Sequence, residues 1–233
     1  MTLLTPTSRR SVKDLVGEIA GAYITDLQQG YLKDRSWAVA ALARLRRGAG
    51  KLPQDVPELW GMAGTERLYA QQALSETESV RAEAALFLAI TLYALHQQSR
   101  PQQGMHRTGE ELGAAVRKLM LRKSAPGGGI DEPIRRRFVR VGAASTREML
   151  AIRLREVVSL LHGESIPLDY ARLARQLYQA QLPGGMSQVR QSWGRSFHAY
   201  RPSDNEDERR DGGSHTADVP TDEADLPEIV TAP

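Results

Sequence analysis

The densest chemistry in this sequence is cationic. The stretch EPIRRRFVRV, residues 132–141, sets Arg135, Arg136, Arg137 and Arg140 among Ile134, Phe138 and Val141. On a helix, at about 100° per residue, the three apolar side chains fall within about 60° of one another. Arg136, Arg137 and Arg140 fall within about 100° on the opposite side, and Arg135 lies to the flank. A solvated helix face ordinarily mixes signs and forms i, i+4 ion pairs. Here no acid occurs between Pro133 and Arg147. A uniformly cationic face suits phosphate, because each guanidinium presents a planar fork of donors. A second cluster, ARLRRGAGK, supplies Arg44, Arg46, Arg47 and Lys51, with Arg44 and Arg47 sharing a face at i, i+3. A third, VRKLMLRK, ends a helix, where the macrodipole favours cations whatever the function. Arg153, Arg172 and Arg175 add isolated charge.

Other chemistries lack their residues. There is no cysteine, which removes disulfides, thiolate metal sites and cysteine nucleophiles. His96, His106, His162, His198 and His215 are scattered, without an HExxH or i, i+4 pair, so no metal site is expected. GAGK at 48–51 lacks the spacing, the hydroxyl residue and the preceding strand of a phosphate loop, and reads as a helix terminator. No GxSxG elbow occurs, and GGG at 127–129 is not a dinucleotide turn. The acid pairs 110–111 and 131–132 fall near helix starts, where the dipole accounts for them. No catalytic constellation and no cofactor are expected.

The whole chain has 233 residues and a net charge of +3 that hides an asymmetry. Residues 1–201 carry 29 basic and 18 acidic side chains, a balance of +11; residues 202–233 carry 2 and 10, a balance of −8. Of the 31 basic residues 26 are arginine, a bias that a GC-rich genome also produces. The most apolar run, residues 84–95, is too short for a membrane span, which needs about 20 residues. The N-terminus shows no signal-type apolar run. A cytoplasmic protein with no membrane association is expected.

The elements that must position these side chains read as helices. Residues 11–29 put Val12, Leu15, Val16, Ile19, Tyr23 and Leu27 on one face, with Gly30 as the stop. Further helices are expected over 34–47, 78–97 and 108–122. SAPGGGID then breaks the pattern as a hinge. Pro133 suits the start of the arginine helix. Ser145 opens STRE, a capping-box pattern for a helix reaching His162. Helices from 167 and over 187–200 complete the body. Trp37, Phe138, Trp193 and Phe197 all lie on apolar stripes, so core roles are expected for them. No window alternates strictly, so no substantial sheet is expected.

The fold class is therefore all-α: an N-terminal tail (1–10), one small helical bundle (11–124), a Gly/Pro-rich linker (125–130), a second bundle (131–201) and an acidic tail (202–233). The tail's composition cannot offset its ordering entropy, and disorder is expected there.

Four segments in order carry a resemblance: WAVAALARLRRGAGKLPQDVPELW; FLAITLYALHQQS with GEELGAAVRKLM; IRRRFVRVGAASTREMLAIRLREVVSLL; and PLDYARLARQLYQAQLPGGMSQVRQSWGRSF. Together they resemble the CasB family, the small subunit of the type I-E CRISPR Cascade complex. The resemblance implies a non-nucleolytic helical subunit, present in two copies beside the large and backbone subunits. Its partners would be CRISPR RNA and target DNA, including the displaced strand of the R-loop. Carried over by motif, it assigns strand contact to Arg46, Arg47, Arg135, Arg136, Arg140 and Arg153. Arg44, Lys51 and Arg137 rest on the helical geometry. The neutral turn LPGGM and the acidic tail depart from the family pattern.

A different class stays open. Residues 168–200 read as helix, short turn and helix, with Arg190, Gln191 and Arg195 free on the second. A helix-turn-helix regulator would use them on base edges. A pure protein scaffold, with no strand affinity, is a third reading.

Overall fold

The computed structural model describes residues 10–71, 73–124 and 131–201. The N-terminal tail before residue 10, the linker at 125–130 and the acidic tail at 202–233 lie outside the described residues. The described body is helical, and its only β contact is an isolated bridge between His106 and Leu168. The helices are α1 (Val12–Leu32), α2 (Ser36–Leu45), α3 (Thr65–Gln71), α4 (Glu76–Gln97), α5 (Leu112–Lys123), α6 (Glu132–Gly142), α7 (Arg147–Gly163), α8 (Tyr170–Ala180) and α9 (Gly185–Ala199).

The apolar stripe of α1 buries Val12, Leu15, Val16, Ile19 and Leu27, as the three-and-four spacing requires. Gly30 does not stop this helix. It lies inside α1, with Trp37 and Ala38 packed on it so closely that a Cβ would stand 2.6 Å from the Trp37 ring. The glycine serves the tight α1–α2 corner rather than a helix end. Trp37 consequently lies against α1 with 55% of its surface exposed, not in the core as its stripe suggested.

Helix α4 runs through the middle and packs against α1, α2, α7 and α8. It is buried on nearly every side from Ala85 to Ala94. This is the one described helix long and apolar enough to cross a membrane, and most of that surface is covered by the protein itself. Its N-terminus carries a full capping box, Ser75 with Glu78. Helix α8 packs on α1 and α4, α9 on α5 and α8, and α6 on α7 and α5.

Many of these pairings cross the 125–130 segment. The two bundles expected on its two sides are packed as one unit, with a shared core that reaches from Val12 to Trp193. The reason lies in α1 and α4. Each has more apolar surface than its own half of the chain covers, and α7 and α8 cover the remainder.

The start of α7 shifts by one residue from expectation. Thr146 caps it, accepting from the Met149 N–H at 3.2 Å, while the Ser145 hydroxyl points to the Met149 sulfur. Asp131 caps α6 through the Ile134 N–H at 2.9 Å, and Asp169 caps α8 through the Arg172 N–H at 2.9 Å.

A buried polar node ties α4 to α8. His96 Nδ1 and the Tyr170 hydroxyl share a 2.9 Å hydrogen bond, and both residues are fully buried. Gln97 accepts from the Met105 N–H and donates to the Arg100 and Gln103 carbonyls, fixing the loop that follows α4. Burial, reinforced by neighbouring His162, pushes His96 down to about 3, so it is neutral at ordinary pH. Burial pushes Tyr170 up.

Candidate nucleic-acid interface

The first cationic cluster forms where α2 ends. Leu45 is the last buried residue of the helix, and the chain tightens into a 3₁₀ turn, Arg46–Gly48. The turn can seat itself on the core only because residue 48 has no side chain. A Cβ there would meet Phe87, Leu59 and Thr91 within 2.9 Å. Gly50 then adopts φ +79, the left-handed region that favours glycine, and turns the chain outward. Arg44, Arg46, Arg47 and Lys51 all point to solvent, and none pairs with a carboxylate among the described residues. Arg44 and Arg47 line one cavity of about 250 Å³ with Glu58 and Leu59.

The structure adds Arg155 to this cluster. Its aliphatic stem crosses Gly50 so closely that a Cβ there would stand 2.8 Å from it. Arg155 comes from α7, more than a hundred residues away in sequence, and its side chain is exposed. Nothing local could have signalled the meeting. Only the packing of α7 on α4 produces it.

The second cluster lies on α6, as the helical projection requires. Ile134 and Val141 are buried, and Phe138 is half-buried, its ring stacked on Phe197 of α9 at 5.7 Å. Arg135, Arg136, Arg137 and Arg140 are exposed. The face is not wholly unpaired, however. Glu132, one residue before Pro133, reaches Arg135 at 3.1 Å and Arg136 at 3.5 Å. Arg137 and Arg140 have no carboxylate partner among the described residues. Val139 stands in the middle of the arginines with 56% of its surface exposed. Arg190 of α9 lies against Gly142 at the end of this helix, adding a cation that the projection of α6 alone could not supply.

Arg153 is placed differently. It is half-buried and held by Glu156 at 2.7 Å, so its charge is already compensated. The third sequence cluster is structural as well. Lys123 pairs with Glu164, Arg122 donates to the Glu164 carbonyl at 2.8 Å, and Arg117 lies over the Phe197 ring at 5.5 Å. Arg172 and Arg175 face Glu111 and Asp14 across helix contacts. Arg190, Gln191 and Arg195 are exposed on α9, while Val189 and Trp193 fix the helix to the core.

The structure thus brings Arg44, Arg46, Arg47 and Lys51 together with Arg155, and leaves Arg135, Arg136, Arg137 and Arg140 as a separate row on α6. Helix α7 is the element that touches both, packing against α6 and carrying Arg155 to Gly50. Such an arrangement can hold a polyanion along its backbone. Among the described residues no group of three or more carboxylates and histidines is placed to hold a metal ion.

No curated protein sequence matches the chain. The crystal structure of CasB from Thermobifida fusca matches with 49% identity and a TM-score of 0.69, over 79% of this chain and 98% of that one. The family model of the CRISPR-associated protein Cse2 matches residues 41–198, a span that runs from α2 through α9 and contains every arginine of both clusters, and the chain belongs to the Cse2/CasB family.

Proposed function

We propose that this protein is a non-catalytic small subunit of an RNA-guided CRISPR surveillance complex of the Cascade type. In this reading it binds nucleic-acid backbones through its arginine faces. It stabilises both the complex and the target R-loop, including the displaced strand. The observation that carries the reading is electrostatic. Six cations in two rows, Arg44, Arg46, Arg47, Lys51, Arg137 and Arg140, are exposed without a carboxylate partner among the described residues. Unpaired guanidinium groups on a folded surface suit phosphate, and backbone contacts of this kind are largely independent of sequence. Its partners are then the large and backbone subunits, CRISPR RNA, target DNA and a second copy of the chain. The work of the subunit is to hold strands, not to cut them.

The test is reconstitution of the complex with R136A/R137A/R140A. The expected result is intact assembly with weaker target-DNA binding and a less stable R-loop. Unchanged R-loop stability would remove the assigned role of α6. A helix-turn-helix regulator predicts something else, preference for one duplex sequence, lost on changing Arg190, Gln191 and Arg195.

A further inference from the structure

Trp60 is the most exposed of the large apolar side chains among the described residues, at 68%. It follows the short 3₁₀ turn Pro57–Leu59, and its indole is not loose: Nε1 donates to the Pro53 carbonyl at 3.0 Å. That bond satisfies the ring's one polar atom. What remains outward is a fixed, flat, apolar surface. Beside it lies a cavity of about 220 Å³, lined among others by Pro53, Leu59, Glu83 and Phe87.

This cavity shares walls with the first arginine cluster. Leu59 lines both it and the Arg44–Arg47 cavity. Leu59 and Phe87 are also the side chains on which the arginine turn is seated at Gly48. The two cavities differ in charge. One carries two unpaired guanidinium groups together with Glu58. The other carries the Glu83 carboxylate, which accepts from the Tyr69 hydroxyl. A phosphate is drawn to the arginine side and repelled from the Glu83 side. A nucleobase is suited to the second, since its face stacks on an indole and its ring N–H or amino groups can donate to a carboxylate.

We propose that Trp60 is a base-stacking platform for a single strand whose phosphates lie on Arg44 and Arg47. The proposal rests on the nucleic-acid reading above and adds base contact to what would otherwise be pure backbone tracking. Cationic grooves with interleaved aromatic faces hold single strands in this way, without sequence readout.

The test uses the full chain and two labelled strands of equal length, an oligothymidylate and an abasic strand with the same phosphates. W60A is expected to bind the oligothymidylate about 5- to 100-fold more weakly than the wild type, and W60F to retain most of the affinity. Both variants should bind the abasic strand as the wild type does, with the same salt dependence. W60L, apolar but without an aromatic face, should behave as W60A, and thermal melting checks that each variant is folded. If W60A and W60L bind the oligothymidylate as tightly as the wild type, the platform is refuted. Should those variants instead fail only to join the assembled complex, Trp60 is a protein contact and the proposal again fails. If the wild type itself shows no salt-dependent affinity for either strand, the nucleic-acid reading of the arginines fails first.

Discussion

Removing the turn cations is the sharpest perturbation the structure offers. In R44A/R46A/R47A three exposed guanidinium groups disappear, and none of them has a carboxylate partner to compensate among the described residues. Each phosphate contact on a single strand contributes about −0.7 to the slope of log K against log salt. Three lost contacts therefore flatten the slope by about 2. Between 50 and 200 mM salt a difference of that size amounts to about a 20-fold change in the ratio of wild-type to variant affinity. The deficit should be large at low salt and shrink as salt rises. Fluorescence anisotropy with a labelled homopolymer, titrated at four salt concentrations, reads the slope directly. R135A/R136A should flatten it less, because Glu132 already offsets part of those two charges. Parallel lines for wild type and the turn variant would refute the reasoning: the turn arginines would then face solvent or protein, not phosphate.

The remaining expectations follow from single features. E132Q releases Arg135 and Arg136 from a partly exposed partner and should tighten strand binding by up to about fivefold for each pair released, since surface pairs of this kind contribute under about 1 kcal/mol each; the same anisotropy titration measures it. His96 is depressed to about 3 in the folded state by burial and by His162, so its contribution to stability is complete above pH 6.5 and is lost as pH falls toward 3. Urea melts should show a loss of roughly 2–3 kcal/mol between pH 7 and 4.5 that H96Q lacks. Deleting residues 202–233 removes a charge of −8 from a body of +11, and should raise strand affinity several-fold at about 50 mM salt but not at about 500 mM, where charges are screened. Equal affinities at low salt would dispose of the tail as an electrostatic brake.

Helix existence was legible in the sequence because burial in this fold follows the 3.6-residue period. The stripe of α1 and the dense apolar run of α4 are each enough to specify a helix and its buried side. Helix ends were less legible, and for a physical reason. Gly30 has the chemistry of a terminator but is used for close approach, and which use applies depends on Trp37 and Ala38 arriving from the next helix. Ser145 and Thr146 are both competent caps, and the choice between them turns on where the α6–α7 connection lets the chain straighten. Helix α3 has only one buried residue, Leu68, too little periodicity to announce itself. The linker at 125–130 looked like a boundary because composition reports local chain stiffness. It carries no information about whether the helices on its two sides share a core.

The candidate site divides along the same line. Exposure of Arg137 and Arg140 follows from projection alone, whereas Arg155 and Arg190 join their clusters only through tertiary packing. Trp60 did leave a local signal, a tryptophan in a Pro- and Gly-bounded loop, as in DVPELWGM. The pairing of Arg135 and Arg136 could also have been read, by counting the acid just before Pro133 as well as those after it.

The two clusters differ in how their helix ends meet the charge around them. Helix α6 starts within the cationic segment and needs an acidic N-terminus: Asp131 caps it and Glu132 complements its dipole. The same Glu132 then neutralises the first two arginines, so the requirement for a helix start subtracts from the binding face. At the end of α2 the two demands coincide. Arg44 lies in the last helical turn, with Arg46 and Arg47 just beyond it, where the dipole already favours cations and no acid is needed. Free cations there raise the stability of the helix end and remain available to phosphate. A strand approaching α6 must displace Glu132 from two of its four arginines, while one approaching the turn displaces only water and counterions. The turn, with Arg155 laid across Gly50, should therefore capture a strand first, and the α6 row should add affinity only once that strand is held.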